Sequence, residues 1–341
     1  MAKKFIVIGE NIHCTRVFKR EGKLIEQLDG GIQAIVYTAA DGKPRHLPIP
    51  KRFQETADWE AGKVKHCAVA IWQGMYGDPM GKKCGIDYLR TLARKQAAAD
   101  AGFLDVNVDE FTTDVPEKIK AMIWTCDVVQ QATPVPLSID SSNPDILRAG
   151  LQSCDKAKGQ PMVNSVSLER VASIDVSAAF KAAVVASAAG EEGLPCNAEE
   201  RLANLSRLMP KLKAAGMADA AIYIDPLVLP IGTDSNNGQI FLDAVSGVRR
   251  SFGADVHIVG GLSNVSFGMP ARKLINQTFT YLAVEAGADG GIVDPLQING
   301  KVLEAVDPAS DAFRMAKALL TGEDAFGVEF ITAHREGKLG A

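Results

Sequence analysis

The side chains able to do chemistry recur at one kind of place in this chain, at or just after a short apolar run. Glu10 and Asn11 follow FIVIG, Asp105 and Asn107 punctuate FLDVNV, and Asp140 closes VPLSID. Asn164 lies in PMVNSVS, Asp225 closes AAIYID, and Ser263, Asn264 and Ser266 follow DVHIVGG. These are carboxylates, amides and hydroxyls. They include no Ser/His/Cys nucleophile set, no GxSxG, no histidine pair at metal spacing and no lysine placed at a strand end as a Schiff-base former, so no bound metal is expected. An ionised Asp accepts paired hydrogen bonds from an amidine-like edge, and Asn both donates and accepts. The set suits recognition of a heterocycle rich in N–H groups better than hydrolysis or covalent catalysis.

Each residue also has a structural reading. Asn143, directly before Pro144, fits a helix N-cap. Asn11 and Asn107 can satisfy strand-end backbone as readily as they bind a ligand, Asp109 and Glu110 read as solvated loop charges, and His13 reads as a structural hydrogen-bonding group rather than an acid–base catalyst. Asp140 and Asp225 are different. Each ends a buried run, where an idle carboxylate is costly.

The elements that must position these groups follow a regular pattern. FIVIG, FLDVNVD, VPLSID, PMVNSVS, KAAVVAS, AAIYIDP, VHIVGG and GGIVD read as eight buried strands, with helical patterns between them. Ile86, Leu89, Ala93 and Ala97 share one helix face, and Asp114 with Glu117 makes a capping box ahead of Ile119, Met122, Cys126 and Val129. Asn197 starts another helix with Glu200 as its capping partner, and a further pattern runs from Ala271 through Leu274, Ile275 and Phe279. Eight strands alternating with helices predict an α/β fold, a TIM-type (β/α)8 barrel, whose strand ends meet on one face. An open doubly wound sheet is the second choice, because no GxGxxG follows the first strand. The whole chain, 1–341, is expected to be one domain, with residues 16–83 an insertion of about 65 residues after the first strand at the active-site face. Within it, GIQAIVYTAADGKPRHLPIP reads as two extended segments around the Asp41-Gly42 turn.

Composition narrows the ligand class. With 341 residues, 47% apolar, 23% charged and a net charge of −4, the chain is an ordinary globular protein without the basic surface that nucleic acid or an anionic membrane requires. MAKKFIVI has too few apolar residues for a secretory leader, and six cysteines at 14, 67, 84, 126, 154 and 196 form no CxxC motif. A cytoplasmic protein with reduced thiols and a small-molecule ligand is expected.

Seven stretches then carry a resemblance: IGENI at 8–12, LDVNV at 104–108, SIDSSN at 138–143, MVNSVS at 162–167, YIDPLVLP at 223–230, GLSNVSFG at 261–268 and LINQTF at 274–279. In this order they resemble the pterin-binding methyltransferase family, which includes the methyltetrahydrofolate:corrinoid protein methyltransferases and the folate domain of cobalamin-dependent methionine synthase. The resemblance implies a barrel, assembled as a homodimer, that moves a methyl group between N5 of methyltetrahydrofolate or tetrahydrofolate and the cobalt of cobalamin carried by a separate corrinoid protein. It implies that Asp140, Asn164 and Asp225 hydrogen-bond the pterin ring, and that Asn264 sits by N5 and strengthens its hydrogen bond as N5 gains a proton. Glu10, Asn11, Asp105, Asn107 and Ser266 join the pterin-binding candidates by their strand-end positions. Two departures stand out: AVVASAAGEE at 183–192 lacks the polar residues that some relatives carry after the fifth strand, and the 16–83 segment has no counterpart in compact relatives. A dihydropteroate synthase-like pterin enzyme is the alternative, though its motifs are largely missing, and a non-catalytic pterin- or corrinoid-binding protein is the other.

Overall fold

In the computed structural model, which describes residues 4–339, each of the eight apolar runs forms a strand. They are β1 (Ile6–His13), β2 (Phe103–Asn107), β3 (Leu137–Asp140), β4 (Met162–Val166), β5 (Ala183–Ser187), β6 (Ile222–Asp225), β7 (His257–Ile258) and β8 (Gly290–Val293). One eight-stranded sheet runs β7-β6-β5-β4-β3-β2-β1-β8. β7 is only two residues long, and its junction with β8 is completed by the Asp289 N–H donating to the Ile258 carbonyl (3.1 Å) and the Ile292 N–H donating to the Gly260 carbonyl (2.8 Å). The ends of the sheet thereby meet, giving the TIM-type (β/α)8 barrel.

The helices between strands are α1 (Pro79–Ala98), α2 (Val115–Gln130), α3 (Pro144–Ser153), α4 (Ala172–Ala179), α5 (Ala198–Ala214), α6 (Asn237–Phe252), α7 (Arg272–Ala286) and, after β8, α8 (Asp311–Leu320). Their starts obey the expected chemistry. Asn143 accepts from the N–H groups of Asp145 and Ile146, and Asn197 accepts from that of Glu200. Asp114 accepts from the Glu117 N–H, but the return half of that capping box is missing: Glu117 turns instead to the Tyr76 hydroxyl (2.5 Å) and Lys120 (2.7 Å).

The chain divides into two compact units, one built from Glu10–Ala98 and Phe103–Met162, the other from the remainder. In the first, β2 and β3 pair in parallel with Asp105 opposite Ser138 and Asn107 opposite Asp140. The same unit holds the chain between β1 and α1. Gln33–Thr38 pairs with Pro44–Pro48 about the Asp41-Gly42 turn, as the sequence predicts, and Ile25–Gln27 adds a third strand. Val17–Lys19 pairs with Lys63–Lys65. Phe18 stacks on His66 at 4.0 Å, and Tyr37 meets Tyr88 of α1 edge-on at 4.9 Å. In the second unit β5 and β6 pair with Ser187 opposite Asp225, and the first half of β1 pairs with β8.

Three local expectations shift. β1 continues through Glu10 and Asn11 to His13, so those groups lie within the strand rather than after it. HCAVAIWQGMY, whose apolar residues follow no clear period, is a helix over His66–Tyr76; its residues 66–71 are all buried, and a helix buried nearly all round shows no stripe. α1 begins at Pro79, seven residues before its legible stripe, because Gly81 and Gly85 dilute the helical signal in its first turns.

Candidate active site

In the first unit the strand ends assemble a compact acidic cluster around one histidine. Asp105 is fully buried on β2, and its Oδ2 lies 2.8 Å from Nε2 of His13 on β1. Burial alone would lower the His13 pKa, but the hydrogen bond to Asp105 and the charges of Asp105, Asp140 and Glu10 outweigh it and raise it. Asp140, at the end of β3, is pushed up to about 7 by burial and the Asp105 charge, against the pull of His13 and a hydrogen bond with Asn107. The ligating atoms of His13, Asp105 and Asp140 lie within 4.8 Å of one another. Glu10 is held by Arg16 at 3.0 Å, and the Asn11 N–H donates to Gln96 Oε1 at 3.0 Å.

Asp109 is not a solvated charge. Its carboxylate accepts from the Ser141 hydroxyl (2.6 Å), the Ser142 N–H (3.0 Å) and the Ser142 hydroxyl (3.1 Å), while Asn107 Oδ1 accepts from the Asp109 N–H (2.9 Å). The β2 loop is thus clamped to the β3 loop. Glu110 pairs with Lys65 at 2.9 Å.

In the second unit Asp225 and Asn264 share a glycine floor. A side chain at Gly260 would meet Asp225 Oδ1 at 3.3 Å and the Phe241 ring at 3.2 Å, and one at Gly261 would meet the Asn264 amide nitrogen at 2.7 Å. A side chain at either glycine would press these groups out of their present positions. Asn264 sits in a 3-10 turn, Leu262–Ser266, that the sequence reading did not expect. Arg272 braces it by donating from Nε to the Ser266 hydroxyl and from Nη2 to the Ser263 carbonyl, both at 3.0 Å. Ser266 is fully buried, so it supports this turn. Asn164 lies on β4, half-buried, and begins a cis peptide with Ser165.

Asp225 accepts from the N–H of Leu227, whose φ is +70°, at 2.8 Å. Burial lifts the Asp225 carboxyl to about 6, opposed by that hydrogen bond and by the Arg201 charge. Arg201 is the residue that motif reading missed. It is fully buried at the start of α5, and no group among the described residues hydrogen-bonds its Nε or either terminal nitrogen. The available signal was its place at the head of the stripe Leu205, Leu208 and Leu212, where a charge has no structural reason to be. Arg201 supplies this unit with a buried cation.

The arrangement offers one raised carboxyl in each unit and, in the second, an amide on a braced turn and one buried cation, Arg201. It reads hydrogen-bonding patterns and holds protons, and among the described residues it contains no activated nucleophile.

The chain is similar to known proteins. Residues 81–294 match the model of the family described as "Pterin binding enzyme". A methylcorrinoid:tetrahydrofolate methyltransferase of Eubacterium limosum is 32% identical over 259 residues, covering 74% of this chain and 89% of that protein. Among solved structures, dihydropteroate synthase of Xanthomonas albilineans superposes with TM-score 0.51 at 19% identity over 70% of this chain and 87% of its own. That of Stenotrophomonas maltophilia gives 0.50 at 20% over 67% and 90%. At such identities these two establish the barrel alone. The family match spans more than half of the chain, and together with the methyltransferase relative it shows that this protein belongs to the pterin-binding enzyme family.

Proposed function

We propose that this protein is a methyltransferase acting between a methylated corrinoid protein and tetrahydrofolate. The observation that carries the reading is the 32% identity to the methylcorrinoid:tetrahydrofolate methyltransferase over most of both chains. The relative's name supports the direction from corrinoid to folate. The protein acts as a homodimer, as the family resemblance implies, and the corrinoid is brought by a partner protein.

In this reading the pterin is held through its N–H edge by carboxylate and amide groups. Asp225, seated on Gly260, takes the 2-amino group and ring N–H as a bidentate acceptor, and Asp140 and Asn164 complete the hydrogen bonding. Asp105, Asn107, Glu10 and Asn11 set the charge and orientation of Asp140 and His13, and Ser266 holds the turn of Asn264. The corrinoid supplies a methyl group on cobalt. N5 attacks that methyl carbon in line as the carbon–cobalt bond breaks, with its electron pair left on the metal. N5, transiently cationic, then loses its proton. Asn264 accepts a hydrogen bond from N5–H and holds the lone pair on line, while the proton itself leaves N5 to water; the reverse reaction uses the same contact to assist N5 protonation by water.

The alternative of dihydropteroate synthase chemistry has only barrel-level likeness in its favour. The deciding experiment is methyl transfer to tetrahydrofolate from methylcobalamin, followed by its ultraviolet–visible spectrum. Formation of methyltetrahydrofolate supports the reading. Condensation of a pterin pyrophosphate with p-aminobenzoate, without methyl transfer, sinks it.

A further inference from the structure

Beside the β2 loop, in the first unit, lies a cavity of about 490 Å³ lined by Arg52, Phe53, Thr56, Trp72, Tyr76, Phe111, Thr112 and Glu117. Most of its wall belongs to the segment between β1 and α1. Phe53 and Trp72 meet edge-on at 6.4 Å, and Trp72 and Tyr76 lie 6.2 Å apart. Tyr76 is 46% exposed, an aromatic ring left open to solvent. The Arg52 guanidinium lies over Trp72 at 5.3 Å and over Phe53 at 5.9 Å. No carboxylate among the described residues pairs with it. The one acid in the lining, Glu117, is already engaged by Lys120 and the Tyr76 hydroxyl. The cavity thus presents aromatic faces and one free cation, which suits a planar ring carrying a carboxylate.

The position supplies the ligand. Phe111 and Thr112 follow Asn107 on the same loop, and Asn107 faces Asp140 across the β2–β3 ladder. Four residues span at most about 14 Å of extended chain, and the Phe111 N–H bonds back to the Val108 carbonyl at 2.9 Å, which shortens that path. A second groove, in the other unit, is lined by Pro230, Asp234 and Phe267; no cation is among its lining residues, and the Arg272 guanidinium over Phe267 is engaged by the Ser266 hydroxyl and the Ser263 carbonyl. Charge therefore selects the Arg52 groove.

We infer that the groove between Arg52, Trp72 and Phe111 is the subsite for the p-aminobenzoyl-glutamate tail of the folate, with the benzoyl ring against Trp72 and Phe53 and a glutamate carboxylate on Arg52. This rests on the pterin reading of Asp140 given above. It assigns the segment after β1 a role in selecting tailed folates over bare pterins.

The test is calorimetric binding of two ligands, tetrahydrofolate and the tail-less 6-methyltetrahydropterin, to wild type, Arg52→Glu and Trp72→Phe; Arg52 is exposed, so its variant folds. Wild type binds tetrahydrofolate at least about tenfold tighter than the tail-less pterin, Arg52→Glu removes about tenfold of that advantage, and Trp72→Phe removes less. The tail-less pterin binds all three proteins alike. Equal affinity of wild type for both ligands, or equal losses for both in Arg52→Glu, overturns the inference. So does an unchanged tetrahydrofolate affinity with slower transfer from the corrinoid protein, which hands the groove to that partner. If wild type binds neither ligand, the pterin reading itself fails. That outcome is distinct from loss of the tail preference alone.

Discussion

His13 Nε2 and Asp105 Oδ2 lie 2.8 Å apart across β1 and β2, with Asp105 fully buried. The pair fixes a proton at the base of the Asp140 cluster, because the carboxylates around His13 outweigh its burial and raise its pKa. A raised folded-state histidine contributes stability that is complete below the unfolded value near 6.5 and is lost as pH rises through the folded value. Asp105→Asn is therefore expected to cost about 1–3 kcal/mol near pH 5.5 and less at pH 9. Urea denaturation at the two pH values measures this. A cost that grows with pH would contradict it.

That same proton bears on metal binding. His13, Asp105 and Asp140 are spaced to hold a cation, yet His13 Nε2 is already hydrogen-bonded to Asp105 Oδ2 at 2.8 Å, and its raised pKa sets a proton in competition with any metal there. Exhaustive chelation is expected to leave methyl transfer unchanged near pH 7. Loss of activity restored by one divalent metal would reassign the cluster as a metal centre.

With Asp225 in the proposed pterin-binding role, ligand binding is expected to depend on pH. Its carboxyl rises to about 6 in the free protein, and only the ionised form accepts the donor edge of a pterin. Folate affinity is expected to be level above pH 7 and to fall about tenfold per unit well below pH 6. Asp225→Asn should bind weakly at every pH, with that slope gone. It should also make the ligand-free protein more stable at pH 8, by at most about 3 kcal/mol, since a carboxyl with a raised folded pKa stabilises the fold only at low pH. Calorimetry and thermal melts across pH 5–8 read both effects.

Arg201 opposes the rise at Asp225 from a fully buried position. Arg201→Met, similar in length and without charge, should move the pH midpoint of folate binding upward. Burial of an unpaired guanidinium is costly, so the same variant should be no less stable than wild type without ligand. A lower midpoint would show that the cation does not act on Asp225.

The barrel was legible because its strands are buried on both faces, and runs such as VPLSID and AAIYID carry that signature without help from any partner. Asp140 and Asp225 were legible for the same reason, as acids closing apolar runs. The helix over His66–Tyr76 was not, since burial on all sides erases its period. Asp109 looked like a loop charge because its partners, Ser141 and Ser142, lie more than thirty residues away and are joined to it only by the β2–β3 pairing. Arg201 belongs to no motif. Only its register with Leu205 and Leu208 marks it, and a single polar residue in a stripe is easily taken for the stripe's end.

Asn264 offers the sharpest division between binding and chemistry. Its amide rests on Gly261, in a turn fixed by Arg272, so truncation leaves the surrounding backbone in place. An interaction that strengthens only as charge develops on N5 lowers kcat far more than it weakens binding. Asn264→Ala is expected to slow methyl transfer on the order of 10²-fold while changing the tetrahydrofolate Kd less than about threefold. Gly261→Ala, which forces the amide aside by a clash at 2.7 Å, should reproduce much of the rate loss with Asn264 intact. Single-turnover transfer at saturating folate separates the two quantities. Equal losses in rate and affinity would place Asn264 among the groups that merely hold the pterin.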